Sequence, residues 1–242
     1  DSPPPYLRKS LFLAVDGELS RGLSQLAADC RVTLGTLLRT AWGIVLGRAN
    51  NRDDAVFGAV LSGRGADLDG IDRMIGLFVD TVPVRIRWEG NTPFDELLQR
   101  MQEEALALEA HAHLPLADIQ RVTPLASALI QHLFVFENLP EAAPGGDLHL
   151  TLEKGFNQTG YDLSLVFDQG KELTACFHYN GEVFSAEQVG HLGECLLTLL
   201  RQVVAGGMTK PVGCLFVTPP ADLRRVLGDF NNPTASSSHC PL

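Results

Sequence analysis

The chain has 242 residues, 45% hydrophobic and 20% charged, which is ordinary globular composition and enough for one large domain or two small ones. A formal net charge of -10 argues against nucleic acid as a partner, because phosphate contacts need clustered Lys and Arg. The apolar runs are far too short for a membrane span and the opening DSPPPYLRKS carries no apolar signal region, so the expectation is a cytoplasmic protein with no membrane partner.

Pro3, Pro4 and Pro5 read as an extended linker. Leu11 to Val15 is a short apolar strand. Ser20 follows as an N-cap, with Leu23, Leu26 and Ala27 at helical spacing behind it. Thr33 caps a second helix, Leu34 to about Ala49, whose Leu37, Leu38, Ala41, Trp42, Val45 and Leu46 form a stripe broad enough to be mostly buried. After the polar turn 50–54, Ala55 to Leu61 is a buried strand that ends in Ser62-Gly63-Arg64-Gly65.

Ile75 to Ile86, IGLFVDTVPVRI, is the most distinctive stretch. Ile75 to Val79 reads as strand buried on both faces, and Val82, Val84 and Ile86 alternate with Pro83 and Arg85 as a strand with one wet face. Pro83 cannot donate to a ladder, so the chain there lies at an edge or a bulge. The polar pair Asp80-Thr81 interrupts the apolar pattern and is either a bulge or the wall of a site.

A long helix follows to about Ala110, with Thr92 as N-cap, Pro93 at its first position and Glu96 closing a capping box. His111 to Gln120 turns into a short helix. Leu129 to Glu137 is a strand. Leu148 to Leu152, Leu163 to Phe167 and Leu173 to Tyr179 resemble a meander, with Gln169-Gly170 as a hairpin turn. Ser185 caps a helix to about Val204, stopped by Gly206-Gly207; Asp222 to Phe230 forms a last short helix, and 231–242 is tail-like. The order is mixed α/β, without the regular alternation of a doubly wound sheet.

No complete catalytic set emerges from the residues. GxGxxG, the P-loop, HExxH and GxSxG are all absent, and LSGRG lacks the glycine a nucleophile elbow needs before its serine. The five cysteines are widely spaced with no CxxC, which argues against a disulfide framework and against zinc. His111 and His113 signal no third metal ligand. His132, ahead of Leu133 to Phe136, is either a satisfied core histidine or a base. Arg64 and Arg85 lie near the polar breaks and can pair with surface carboxylates. Glu137 and Asn138 end a strand, where sites and ordinary turns both occur.

Taken together, the motifs resemble the C-terminal lobe of condensation domains of nonribosomal peptide synthetases. IGLFVDTVPVRI is similar to the family pattern (I/V)GxFVNTxxxR, with Gly76, Phe78, Val79, Thr81 and Arg85 matching and Asp80 where Asn is common. DDAVFGAVLSGRG, HAHLPLADIQ, LFVFEN and NQTGYDLSL resemble further family segments in the same order. The resemblance implies a chloramphenicol acetyltransferase-like lobe, a mixed β-sheet flanked by helices, spanning residues 1–228, with 229–242 starting a linker toward an adenylation domain. It implies a tunnel wall formed by Ser62, Gly63, Arg64, Gly76, Phe78, Val79, Asp80, Thr81, Phe136, Glu137 and Asn138. The family's HHxxxDG belongs to the N-terminal lobe, and no HH pair occurs here, so no catalytic residue and no metal ligand is expected in this chain.

The implied partners are that N-terminal lobe, donor and acceptor peptidyl carrier proteins and the adenylation domain. No cofactor is bound directly; the phosphopantetheine arms of the carriers tether the substrates. The start at Asp1 suggests a piece of something longer. Alternatives are a starter lobe for a fatty acyl donor, a non-catalytic carrier-docking scaffold, or a free-standing acyltransferase using His132.

Overall fold

The computed structural model describes residues 6–62, 70, 74, 76, 78–109, 111, 114–138, 160–170 and 172–229. The elements run β1 (Arg8–Leu13), α1 (Gly17–Asp29), α2 (Leu34–Ala49), β2 (Asp54–Ser62), β3 (Val79–Arg87), α3 (Phe94–Glu109), α4 (Leu116–Arg121), β4 (His132–Glu137), β5 (Leu163–Gln169), β6 (Leu173–Asn180), α5 (Ala186–Gln202) and α6 (Pro220–Arg224). The expected strand at Leu148 to Leu152 and the tail lie outside the described residues.

The described strands form one six-stranded sheet in the order β1-β6-β5-β4-β2-β3. β2, β4 and β5 run parallel to one another; β3, β6 and β1 are antiparallel to their neighbours. The expected meander is therefore only a β5–β6 hairpin, joined in parallel to β4. β3 lies at the edge, as Pro83 requires, and its ladder with β2 runs from Ser62 opposite Val79 to Asp54 opposite Arg87 with no bulge.

Alternation along the strands gives the sheet two unlike faces. Phe57, Ala59, Val82, Val84, Ile86, Phe134, Leu165, Phe167, Ala175 and Phe177 point to one side and are buried there. Phe57, Phe134 and Phe167 stack across β2, β4 and β5 with centroids 6.3 and 5.9 Å apart. α2 lies on this side, buried through Gly47, with Trp42 5.6 Å from Phe177. It comes so near the sheet that a Cβ on Gly43 would meet Ile86 Cγ1 at 2.3 Å. α1, α3 and α5 complete the helical layer around α2.

Some of the expected caps form as read and others do not. Thr33 caps α2 through Thr36 N–H, and Ser185 closes a capping box with Gln188 on α5. The α1 cap is Asp16, not Ser20; Ser20 lies inside the helix, where its hydroxyl accepts from Leu173 N–H. Thr92 does not cap α3. Its hydroxyl accepts from Glu89 N–H, and the first N–H groups of α3, on Phe94 and Asp95, donate to the carbonyls of Lys210 and Met208. Tertiary carbonyls thus replace the capping box, satisfying the same orphan donors. Leu129 belongs to a 3₁₀ turn (Ala126–Leu129) ahead of β4.

Ile75 to Val79 is not a strand buried on both faces. β3 begins only at Val79, Gly76 and Asp80 are exposed, and Val79 is 53% exposed; Ile75 and Leu77 lie outside the described residues. An edge strand has a neighbour on one side only, so its first residues keep water contact however apolar they are.

Candidate functional site

The parallel run of β2, β4 and β5 brings their carboxyl ends to one end of the sheet, where open α/β sheets characteristically bind ligands. Ser62 sits there opposite Val79, Leu61 opposite Asp80 and Val60 opposite Thr81. Phe136 and Glu137 end β4 beside Phe167 and Asp168 of β5, and Asn138 follows, exposed. Ser62, Val79, Asp80, Thr81, Phe136, Glu137 and Asn138 therefore share one end of the sheet. Gly76 is exposed and Phe78 half-buried just before β3; Gly63 and Arg64 lie outside the described residues.

Strand alternation splits this group between the two faces. Asp80 and Phe136 point to the helical side, while Ser62, Val79, Thr81 and Glu137 point to the other. On that second face Glu137 stands beside Asp168 in the parallel ladder. Burial, reinforced by the Asp168 charge, pushes the Glu137 carboxyl above its usual value. On the helical side Phe136 packs against Gly35, where an added Cβ would stand 3.1 Å from the ring.

A cavity of about 220 Å³ opens on the helical side at this same end, between the N-terminus of α2, the C-terminal half of α3, and the ends of β2 and β4. Phe136 lines it, Ser62 borders it where β2 ends, and Arg39, absent from the sequence-derived set, forms part of its wall. The signal for Arg39 is present in the sequence: it is a lone cation within the apolar run of α2. A larger cavity, about 590 Å³, lies away from this end, along β3 and α3 around Arg87, Trp88 and Arg100. Arg85 borders it and is engaged by Asp54 at 2.6 Å, as a surface pair.

Other chemistry-bearing residues stand apart. His132 begins β4 and Glu137 ends it, about 17 Å apart at strand rise. Burial lowers the His132 pKa. Cys195, His191 and Asp222 stand in the order of a nucleophile, base and carboxylate, with Cys195 Sγ 3.5 Å from His191 Nε2 and His191 Nδ1 3.1 Å from Asp222. The Cys195 thiol is buried and pushed up to about 11, by burial first and then by Asp222 and Glu194, which makes it inert as a nucleophile. No group of three or more metal-ligating side chains occurs among the described residues. No described helix is long and apolar enough to cross a membrane.

The family model described as "Condensation domain" matches residues 6–223. The chain belongs to the condensation domain family. It is similar to bacitracin synthase 3 of Bacillus licheniformis, 32% identical over 238 residues, covering 95% of this chain and 4% of that protein. It is also similar to tyrocidine synthase 2 of Brevibacillus parabrevis, 38% identical over 186 residues, covering 72% of this chain and 5% of that protein.

Among solved structures, the first condensation domain of the CDA synthetase matches with a TM-score of 0.68 at 18% identity, covering 87% of this chain and 47% of that one. The X-domain from teicoplanin biosynthesis matches at 0.71 and 20% identity, over 89% of this chain and 52% of that one. These likenesses establish the fold: a condensation domain sheet flanked by helices. The chain spans about half the length of those solved domains and a small fraction of the synthases.

Proposed function

We propose that this chain forms the C-terminal half of a condensation domain's substrate tunnel, within a nonribosomal peptide synthetase that joins carrier-bound thioesters through an amide bond. The observation that carries the reading is the strand end itself. Ser62, Val79 to Thr81 and Phe136 to Asn138 share that end, on both faces of the sheet, and Val79 and Asp80 remain open to solvent. An open flank at the carboxyl ends of parallel strands suits a wall that needs a facing lobe.

In this reading the acceptor amine attacks the donor thioester carbonyl, the new C–N bond forms and the donor carrier's thiol departs. The base arrives on the N-terminal lobe, whose HHxxxDG has no counterpart among these residues. This chain's part is positioning. Holding two tethered reactants in line can contribute roughly 7–11 kcal/mol toward a barrier. Donor and acceptor peptidyl carrier proteins dock with their phosphopantetheine arms pointing into the tunnel, an adenylation domain follows in the assembly, and 229–242 begins the linker to it.

The test supplies the upstream segment of the parent reading frame, joined or in trans, with both carriers loaded, and follows amide formation by mass spectrometry. Turnover by the pair, with none from either piece alone, is expected. Turnover by this chain alone that is lost on His132→Ala overturns the reading, and so does carrier binding without turnover by the pair.

A further inference from the structure

Arg39 is 8% exposed, yet its guanidinium forms no ion pair among the described residues. Its Nη2 donates to Thr36 Oγ1 at a long 3.4 Å, and its buried Nε has no partner among the described residues. A buried cation with no ion-pair partner is strongly destabilising. Burial pulls its pKa down, with the Glu109 charge acting the other way, but a guanidinium keeps its proton throughout. The site of that cost is the wall of the 220 Å³ cavity.

The rest of the cavity is furnished for one kind of guest. At the polar end stand Thr36 and Thr33, hydroxyls 2.9 Å apart at the start of α2, where first-turn N–H groups have no helical acceptor. Gln102 holds this end in place by accepting from Thr33 N–H at 2.9 Å. Ala59, Phe134 and Phe136 give the other wall an apolar surface. The volume is that of about seven waters, room for a short alkyl chain with a charged head. Glu109 also lines the cavity and repels any anion there, so a single negative charge set against Arg39 is tolerated better than two.

We propose that this cavity binds the carboxylate end of a short aliphatic acid, Arg39 taking the carboxylate and the apolar wall taking the stem. The acid can be free or the side-chain terminus of a larger substrate, and the chemistry of recognition is the same. The site does not depend on condensation activity, because this chain alone furnishes all of its residues.

Titration of the full chain with butyrate, followed by calorimetry and amide NMR, tests it. Saturable binding is expected in the millimolar range, on the order of 4 kcal/mol, with amide shifts at Gly35, Thr36 and Ser62. Butyramide, the neutral isostere, and inorganic phosphate should each bind at least tenfold more weakly. Glu109→Gln should tighten butyrate and Arg39→Gln should abolish it.

Arg39→Met should also abolish binding while raising the Tm, since it replaces a buried charge that has no ion-pair partner among the described residues with an apolar stem. That rise separates a lost site from a lost fold. Equal binding of butyramide, tighter binding of phosphate, unaltered binding by Arg39→Gln, or a lowered Tm in Arg39→Met each overturns the proposal. A glutaryl thioester tested beside butyrate distinguishes the two sources: tighter binding of the thioester favours a side-chain terminus, and tighter butyrate a free acid.

Discussion

Glu137 shows how a single residue's position becomes a pH dependence. It stands half-buried with Asp168 beside it in the ladder, and both effects favour its protonated form in the folded chain. The folded state therefore holds a proton that the unfolded chain has released, over the window from the ordinary glutamate value, about 4.3, up to the raised folded value. Stability falls as pH rises through that window. Glu137→Gln removes the titration and the repulsion together. Its urea midpoint should match or exceed the parent's at neutral pH, with a flatter profile on the acid side. A lower midpoint at pH 7 means that the carboxylate has a stabilising partner. The effect is not legible in the sequence, where Glu137 is only the last residue of an apolar run. Its neighbour Asp168 lies far along the chain, and strand pairing alone brings them together. Arg39 is the opposite case: its anomaly is visible within α2, and only its lack of an ion-pair partner among the described residues needs the structure.

At the scale of elements, the sequence is most informative where the signal is local and least where a neighbour intervenes. The bounds of α2 follow from Thr33 and a broad apolar stripe, and Pro83 marks β3 as an edge. The α3 start escapes the local pattern because Lys210 and Met208, distant in the chain, supply the acceptors that a capping box would have used. Ile75 to Val79 escapes it because periodicity cannot tell a central strand from the approach to an edge. The α2–sheet packing is written in glycines whose purpose appears only in three dimensions. Gly43 faces Ile86, and a Cβ there would sit 2.3 Å from Cγ1 and 2.6 Å from Cβ of a branched side chain anchored in the sheet. Neither atom is a movable tip, so α2 must lift. Gly43→Ala should cost about 1–3 kcal/mol despite the better helix propensity of alanine, read as a lower urea midpoint with an unchanged slope. A neutral or stabilising result means that α2 does not approach the sheet this closely.

At the scale of the whole molecule, one face of the sheet carries the helical layer, while the other is partly open among the described residues. On the open face Phe12 of β1 is 78% exposed at one edge and Val79 of β3 is exposed at the other, with Val135 and Val166 half-buried between them. An apolar surface of this kind drives association. The net charge of -10 opposes contact between copies, and that repulsion is screened beyond about 8 Å at physiological salt. The two effects separate by ionic strength. In sedimentation velocity the chain alone should self-associate more as salt rises, the reverse of an ion-pair interface. Phe12→Ser should suppress that association and leave stability within about 0.5 kcal/mol of the parent, because so exposed a ring contributes little to folding. A chain that stays monomeric at high salt, or a Phe12→Ser variant that associates as strongly as the parent, would show that the open face is not adhesive and that the apolar cover must be sought elsewhere, around Val122 and Leu125 near α4.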